Sequence, residues 1–358
     1  MLPIEWQNVQ RILVVRLDNI GDVVMLSPAL RTLRSHLPNA SITLMASPAG
    51  SQVAPLLPWV DRAIVQRVVW QDASWVMPLD PAREESLIAK IKAEIFDVAL
   101  IFTSFSQSPY PPAYICYLAG IPLRIGQSKE FGGSVLSQWV KSLPDDFHQV
   151  DRNLFLLESV GFKAEGRHLE LSLTEEMQRD GDRLLFNVGI APNQPFIILA
   201  PGASCAARRY DIERFATVAS MLAAETKLKV VVVGSDRETE LFKPILNQKN
   251  VVSLVGKTSI PELAAIVKRS SLVIANNSGT MHIAEAFSKP IIVLYSGTEL
   301  ESQWQPRNAP KKLLRRSTEC SPCYGFQCPY QMECLDISPD EVVREAVKLL
   351  EESLLINC

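Results

Sequence analysis

The residues best suited to bind an anion lie between Ser271 and Tyr295, in the segment SLVIANNSGTMHIAEAFSKPIIVLY. An apolar run that predicts a buried strand is followed by a polar turn with one glycine and then by helical apolar spacing. The turn and the helix entrance consist of Asn277, Ser278, Gly279, Thr280, Met281 and His282. Because the first N–H groups of a helix lack partners within it, this turn suits a phosphate. An ordinary capped helix without a ligand is the other interpretation.

A second polar segment, LDNIGD, follows the apolar run RILVVR near the N-terminus. It carries two carboxylates, Asp18 and Asp22, with Asn19 and Gly21 between them. A carboxylate that faces a cleft can remove a proton from a hydroxyl group within hydrogen-bond reach. A carboxylate at a helix entrance can also act only as a cap or as a partner of the helix dipole. The spacing leaves both roles open.

Two further segments place charged side chains after apolar runs. PGASCAARRY contains Arg208 and Arg209, and one of them on a loop after a strand is a candidate phosphate clamp, although adjacent arginines are usually solvated. GSDRETE contains Asp236 and Glu238, where an acidic residue can bind a ribose or simply begin a helix. The absence of GxGxxG and P-loop patterns argues against an NAD site and a Walker site.

The elements that must position these residues alternate between short apolar runs and helical patterns, in two similar halves. This alternation predicts parallel sheets covered on both faces, with ligands at the carboxyl ends of the strands. A cluster of Gly189, Pro192 and Pro195 indicates a division into domains 1–190 and 191–337. A final helix, 338–353, has a capping Ser/Glu pair and a proline at its first position. The loop from Ser104 to Pro112 is expected to lie near a site.

Four of the seven cysteines lie close together in CSPCYGFQCPYQMEC, with the spacing C-x2-C-x4-C-x5-C. They are Cys320, Cys323, Cys328 and Cys334. Four neighbouring thiolates can fill a tetrahedral site for a structural zinc ion. A loop of unligated thiols is the other interpretation, since a cytosolic setting disfavours disulfides.

The composition excludes several classes of protein. The chain has 358 residues and a net charge of −3, which fits a two-domain globular protein and argues against a general nucleic-acid binder. The N-terminus lacks the features of a signal segment, and the apolar runs are shorter than a membrane span. We therefore expect a cytoplasmic protein. Peripheral contact with the inner face of the cytoplasmic membrane is compatible with this composition.

Taken together, four segments resemble the motifs of glycosyltransferase family 9, the ADP-heptose:lipopolysaccharide heptosyltransferase family. In chain order they read VVRLDNIGDVVMLSPALRTLRSHLPNASITL, LAPGASCAARRYDIERFA, VVVVGSDRETE and NNSGTMHIAEAFSKPIIVLY. The resemblance implies an α/β GT-B fold, in which two Rossmann-like doubly wound domains face each other across a cleft. The N-terminal domain of that fold binds the acceptor and the C-terminal domain binds the donor. Its last helix commonly packs back on the N-terminal domain.

The resemblance also assigns roles by position. Asp22 matches the catalytic aspartate, Arg208 matches a basic residue that contacts the donor diphosphate, and Glu238 matches the acidic residue that holds the nucleoside. The turn from Ser278 to His282 matches the donor-phosphate turn. One departure is visible, because the family commonly reads Asp-Ser-Gly where this chain has asparagine at position 277.

The function implied by the resemblance is inverting, metal-independent glycosyl transfer that requires no cofactor. The donor is a nucleotide-diphosphate sugar, ADP-heptose by resemblance, and the acceptor is a hydroxyl group of a lipopolysaccharide core or another surface glycan. A nucleotide-sugar epimerase of the same fold and a non-enzymatic nucleotide-binding sensor are the alternatives. Release of nucleotide diphosphate separates transfer from sensing, because a sensor releases none.

Overall fold

The computed structural model describes residues 6–72 and 76–356. The chain divides into two compact units, residues 1–167 and 168–358. Each unit contains a six-stranded sheet in which every pair of neighbouring strands is parallel. The predicted alternation of strands and helices in two similar halves is therefore confirmed.

The sheet of the first unit has the strand order β3-β2-β1-β4-β5-β6. Its strands are β1 (Arg11–Arg16), β2 (Ser41–Ala46), β3 (Arg62–Val65), β4 (Val98–Ile101), β5 (Leu123–Ser128) and β6 (Gln138–Lys141). Its helices are α1 (Ile20–Val24), α2 (Ser27–His36), α3 (Pro81–Ala93), α4 (Tyr110–Leu118) and α5 (Gln149–Glu158). Residues 12–16 of β1 are all buried, as a central strand covered on both faces requires.

The sheet of the second unit has the order β12-β11-β10-β7-β8-β9. Its strands are β7 (Phe196–Ala200), β8 (Lys229–Val232), β9 (Val251–Ser253), β10 (Leu272–Asn276), β11 (Ile291–Leu294) and β12 (Lys311–Leu314). Its helices are α6 (Glu175–Asn187), α7 (Ile212–Thr226), α8 (Lys243–Leu246), α9 (Ile260–Arg269), α10 (Gly279–Ala286), α11 (Glu301–Trp304) and α12 (Pro339–Ile356).

In each sheet the chain adds three strands in one direction and then three in the other. The point where the direction changes determines which polar loops lie side by side. In the first unit the chain runs from β1 outward to β3 and returns to place β4 beside β1. In the second unit β10 returns to the side of β7. The loops after two such adjacent strands leave the sheet in opposite directions and open a crevice between them. A ligand site is therefore expected between the loops after β1 and β4 in the first unit. A second is expected between the loops after β7 and β10 in the second unit.

The division between the units lies earlier than the boundary predicted at residues 190 and 191. Helix α6 packs on α9, where Gly181 approaches so closely that an added methyl group would lie 2.7 Å from the Ala265 Cβ atom. Residues 168–190 consequently belong to the second unit. The cluster of glycine and proline residues that suggested the boundary forms the connection between α6 and β7.

Helix α12 covers part of the core of the second unit. Val342, Val343 and Ala346 are buried there, in the same cluster as Phe215 and Ala219 of α7. The apolar face of the final helix is thus used within its own unit, and the predicted packing on the first domain stays a prediction. Within residues 6–72 and 76–356, no helix combines the length and the apolar character that crossing a membrane would require.

Candidate active site

Arg16, the last residue of β1, is the centre of the polar cluster in the first unit. Its side chain is fully buried and lies between two carboxylates. Its Nη2 atom is 2.9 Å from Asp22 Oδ1, and its Nε atom is 2.8 Å from Asp18 Oδ2. Nη2 also donates a hydrogen bond of 2.9 Å to Ser104 Oγ in the loop after β4. Because a buried charge needs partners, Arg16 holds both carboxylates in fixed positions.

Asp22 has the capping role that its sequence position allowed, and its role as a base stays a prediction. Its Oδ2 atom accepts a hydrogen bond of 3.1 Å from the Asn19 backbone N–H and so caps α1, while Oδ1 faces Arg16. Gly21 is buried beside it in the same helical turn. The Asp22 side chain retains 14% exposure, so the carboxylate is oriented from behind and still reachable. Each carboxylate oxygen can accept more than one hydrogen bond, which leaves capacity for a substrate hydroxyl group.

Asp18 is more deeply buried than Asp22. Its side chain is 6% exposed, and its Oδ1 atom accepts a hydrogen bond from Gln107 Nε2. Burial raises the pKa of Asp18 to about 6, and the nearby Asp22 charge adds to this rise, whereas Arg16 and the Gln107 hydrogen bond oppose it.

The structure adds two kinds of residue that the sequence had not assigned to this site. The sequence pattern includes Arg16 in the predicted strand RILVVR and gives it no further role. Ser104 and Gln107 lay in a loop that was expected near a site but without a role. An arginine at the end of an otherwise apolar central strand is the one signal that could have indicated a buried ionic cluster.

The predicted phosphate turn of the second unit lies at the end of β10. Ser278 has an extended backbone, with φ −144° and ψ 176°, and α10 begins at Gly279. Met281 N donates to Ser278 O at 3.1 Å. In the part of the chain that the structure describes, no group accepts a hydrogen bond from the backbone N–H of Gly279 or Thr280. These two N–H groups are thus available to a ligand, and phosphate binding by the turn stays a prediction.

Two residues of the helix entrance point into the protein. Met281 is 1% exposed and His282 is 4% exposed. His282 Nδ1 lies 3.9 Å from Glu285 Oε2, and Glu285 Oε1 accepts a hydrogen bond of 2.7 Å from Arg307 N. Both residues therefore stabilise the turn from within, and direct contact of His282 with a donor stays a prediction.

The two adjacent arginines have different surroundings. Arg208, which ends a 3₁₀ turn, donates from Nη2 to Glu299 Oε1 at 2.5 Å and from Nε to Thr298 Oγ1 at 3.3 Å. Arg209 donates to the Ala203 carbonyl oxygen of its own loop at 3.1 Å. Arg208 therefore bridges the loops after β7 and β11, whereas Arg209 supports the loop that carries both. This difference favours Arg208 as the clamp.

Glu238 lies between the loops after β7 and β8. It accepts hydrogen bonds from Ser235 N at 2.9 Å and from Ser235 Oγ at 2.8 Å, so it caps its own 3₁₀ turn. A methyl group on Gly202 would collide with its carboxylate, which shows how closely the two loops approach. The capping interpretation is thus correct, and nucleoside binding by Glu238 stays a prediction.

Asparagine side chains connect β10 to the neighbouring loops. Asn276 is fully buried, accepts from Tyr210 N at 3.1 Å and donates to Pro201 O at 2.6 Å. Asn277 Nδ2 lies 3.5 Å from Glu299 Oε2. Glu299 had no role in the sequence interpretation, although it follows an apolar strand in the segment SGTELES.

The cysteine segment is attached to the same region. Cys323 N donates to Gly297 O at 3.1 Å, and Tyr324 N donates to Thr298 O at 2.9 Å. Cys320 and Cys323 are exposed, Cys328 is half-buried and Cys334 is buried. Burial raises the pKa of the Cys334 thiol, and the other three thiols are near enough to raise it further. Over the described residues, no group of three or more His, Cys, Asp or Glu side chains is already arranged to hold a metal ion.

Comparison with known proteins finds relatives that match this chain over nearly its whole length. A lipooligosaccharide heptosyltransferase 2 of Campylobacter jejuni is 26% identical over 94% of this chain and 97% of its own length. A glycosyl transferase family 9 structure from Veillonella parvula aligns with a TM-score of 0.79 at 21% identity, covering 98% of this chain and 99% of that one. The structure of Escherichia coli ADP-heptose lps heptosyltransferase II aligns with a TM-score of 0.76 at 22% identity, over 96% and 100% of the two chains.

The two structural likenesses confirm the predicted α/β GT-B fold. The model of glycosyltransferase family 9 (heptosyltransferase) matches residues 85–333. That match spans more than two thirds of the chain and includes the 3₁₀ turn of Arg208, the phosphate turn and all of the cysteine segment except its last residue, Cys334. The chain belongs to glycosyltransferase family 9 and is a glycosyltransferase.

Proposed function

We propose that this enzyme transfers heptose from ADP-heptose to a sugar hydroxyl group of a lipopolysaccharide core, with inversion and without a catalytic metal ion. The observation that carries the proposal is the buried Arg16 with its two carboxylates, which gives the first unit an oriented base. The second unit supplies an anion-binding turn and Arg208. Relatives named heptosyltransferase over nearly their whole length support this choice of donor and acceptor.

The acceptor half of the reaction takes place at Asp22. Its carboxylate removes the proton of the acceptor hydroxyl group while that oxygen attacks the anomeric carbon of the donor. The bond from the anomeric carbon to the diphosphate oxygen breaks in the same step, so the configuration inverts and ADP leaves. Asp18, Asn19 and Gly21 shape the acceptor side of this loop.

The donor half of the reaction must stabilise the negative charge that grows on the leaving diphosphate. The N–H groups of Gly279 and Thr280, the N-terminus of α10 and the Arg208 guanidinium supply a positive field for it. Glu238, at the edge of the same crevice, accepts hydrogen bonds from the nucleoside ribose. The loops after the strands contain no Asp-x-Asp pattern, which supports transfer without a divalent metal ion.

We further propose that the enzyme works at the inner face of the cytoplasmic membrane. Aromatic residues are exposed at one end of the first sheet, where Phe131 is 97% exposed and Trp139 of the edge strand β6 is 47% exposed. Trp139 Nε1 donates to Ser128 O, which holds the ring beside the loop that carries Phe131. Aromatic side chains suit the boundary between lipid and water.

The cysteine segment is proposed to hold a structural zinc ion. The support for this proposal is the chemistry of the donor set, because four thiolates within one short segment are the ligands that structural zinc prefers. Cys320, Cys323, Cys328 and Cys334 would hold the ion. When bound, zinc would crosslink the cysteine segment and would take no part in the transfer.

Asp22→Asn should lower turnover by roughly 10²-fold or more while ADP affinity changes little, because the amide cannot accept the acceptor proton. Turnover is measured as acceptor-dependent ADP release with ADP-heptose and a lipopolysaccharide-core acceptor, with and without EDTA. Asp80→Asn is the matched control, since Asp80 also caps a helix of the first unit but lies outside the site. Near-normal turnover in Asp22→Asn would remove this residue from the mechanism, and loss of wild-type activity in EDTA would overturn metal independence.

Turnover of the wild-type enzyme should rise as the pH increases through about 6, the raised pKa of Asp18. Below that pH Asp18 is protonated, and Arg16 loses one of the two carboxylate charges that fix its position. Above it Asp18 is ionised, and the full set of contacts around Arg16 that orients Asp22 is in place. The pH profile of Asp18→Asn should lose this limb. An identical limb in wild type and variant would show that another group controls it.

Zinc binding predicts about one metal ion per chain in protein purified under reducing conditions without a chelator. A chelator should lower the melting temperature, and Cys320→Ser with Cys323→Ser should abolish the metal content measured by mass spectrometry. Cys116→Ser serves as the control, because Cys116 is a buried cysteine of the first unit. Metal-free wild-type protein would favour unligated thiols, and iron in place of zinc would change the metal but keep the site.

Membrane contact predicts that the protein floats with anionic phospholipid vesicles in a density gradient. Phe131→Ser with Trp139→Ser should reduce the bound fraction, because these side chains lose their burial in the interface. Phe186→Ser is the control, as Phe186 is 68% exposed but lies on α6 of the second unit. Equal flotation of all three proteins would place the contact elsewhere, and no flotation of wild type would exclude it.

A further inference from the structure

Glu299 connects two residues of the donor region through its two carboxylate oxygens. Its Oε1 atom lies 2.5 Å from Arg208 Nη2, and its Oε2 atom lies 3.5 Å from Asn277 Nδ2. Only 13% of the Glu299 side chain and 22% of the Arg208 side chain are exposed. The loop after β11 therefore contributes a largely buried negative charge to a site whose ligand is an anion.

The neighbouring hydroxyl groups determine how Asn277 faces Glu299. Ser296 N and Ser296 Oγ lie 3.5 and 3.4 Å from Asn277 Oδ1 and are hydrogen-bond donors to it. The asparagine oxygen is thus turned towards Ser296, so the Nδ2 atom is turned towards Glu299. Thr298 Oγ1 accepts from Arg208 Nε and lies 2.9 Å from Ser296 Oγ, which joins these side chains into one network.

An aspartate at position 277 would be incompatible with this network. Its second oxygen would replace Nδ2 and lie about as far from Glu299 Oε2, so that two carboxylates would face each other in a largely buried site. Like charges at such a distance repel strongly, and one of the two carboxylates would have to take up a proton. Asparagine at 277 and glutamate at 299 are therefore a matched pair.

We propose that Glu299 is a positioning residue for the transfer reaction: it orients the Arg208 guanidinium towards the donor diphosphate and carries the one negative charge that the Asn277–Glu299 pair can hold. The proposal rests on the donor-diphosphate role of Arg208 given above. Arg208 has three donor directions here, to Glu299, Thr298 and, at 3.4 Å, Ser204 Oγ. Fixing a planar guanidinium from several sides prepares it for a diphosphate, which reduces the ordering that binding requires.

The pair predicts an unusual pattern for single and double substitutions. Asn277→Asp introduces the repulsion and should lower turnover by about tenfold or more, and Glu299→Gln removes the charge and should lower turnover by about tenfold. Glu299→Gln should not weaken ADP binding, because it leaves the positive charge of Arg208 uncompensated. A residue with a purely structural role would not separate turnover from ADP affinity in this way.

The double variant Asn277→Asp with Glu299→Gln exchanges the two side-chain types. The glutamine oxygen can still accept from Arg208, its amide can donate to the new aspartate, and that aspartate can still accept from Ser296. Turnover of the double variant should therefore return to within about threefold of the wild-type value, well above either single variant. ADP binding by each single variant shows that it folds, so that a loss of turnover in it is not a loss of structure.

The experiment compares the wild type, the two single variants and the double variant, with turnover measured on ADP-heptose and affinity measured by ADP calorimetry. Glu301→Gln is the matched control, because Glu301 follows in the same segment, is 40% exposed and pairs with Arg315 instead. Multiplicative losses in the double variant, or single variants with wild-type turnover, would overturn the matched pair. If the wild type binds ADP but transfers no heptose, only the proposed donor sugar or acceptor fails. The melting temperatures of the same four proteins then test the pair, because the repulsion in Asn277→Asp should lower the melting temperature and the double variant should restore it.

Discussion

The buried guanidinium of Arg16 is the interaction on which the first unit depends. A charge removed from water at the end of a central strand is stable only if opposite charges and hydrogen-bond acceptors surround it. Here they come from the loop after β1, from the entrance of α1 and from the loop after β4. The contacts that stabilise the buried Arg16 charge also fix the position of Asp22, the residue proposed above as the base. In that proposal one set of contacts serves both stability and catalysis.

The second unit also pairs an arginine with a carboxylate, but the ligand proposed for it is an anion. The diphosphate proposed to bind there is an anion, and yet the proposed clamp residue Arg208 is paired with Glu299. A guanidinium that is held by a carboxylate keeps its direction but loses part of its attraction for anions. The backbone N–H groups of Gly279 and Thr280, which have no acceptor among the described residues, add a fixed positive field without any further side-chain charge. The attached cysteine segment contacts Gly297 and Thr298, so the conformation of that segment bears directly on the loop that holds Glu299.

Much of the fold was readable from local patterns, because strands, helix entrances and turns depend on neighbours along the chain. The apolar runs predicted the parallel sheets, and the four polar loops lie at the carboxyl ends of the strands as expected. The domain boundary was predicted too late, because a run of glycine and proline marks a connection but does not say which helix packs on which sheet. The close contact of Gly181 in α6 with Ala265 in α9 packs α6 on the second unit.

The sequence by itself determined the family, the two-sheet architecture and the loops that carry Asp22, Arg208 and the phosphate turn. Only the tertiary structure decided which side chains act together. Arg16 meets Ser104 across 88 positions of the chain, and Arg208 meets Glu299 across 91. No local spacing in the sequence indicates such pairs, because they arise from the strand order. That order returns β4 to the side of β1, and it places β10 beside β7 with β11 next to β10. The sequence determines which loop carries each charged residue, and the strand order determines which residue it pairs with.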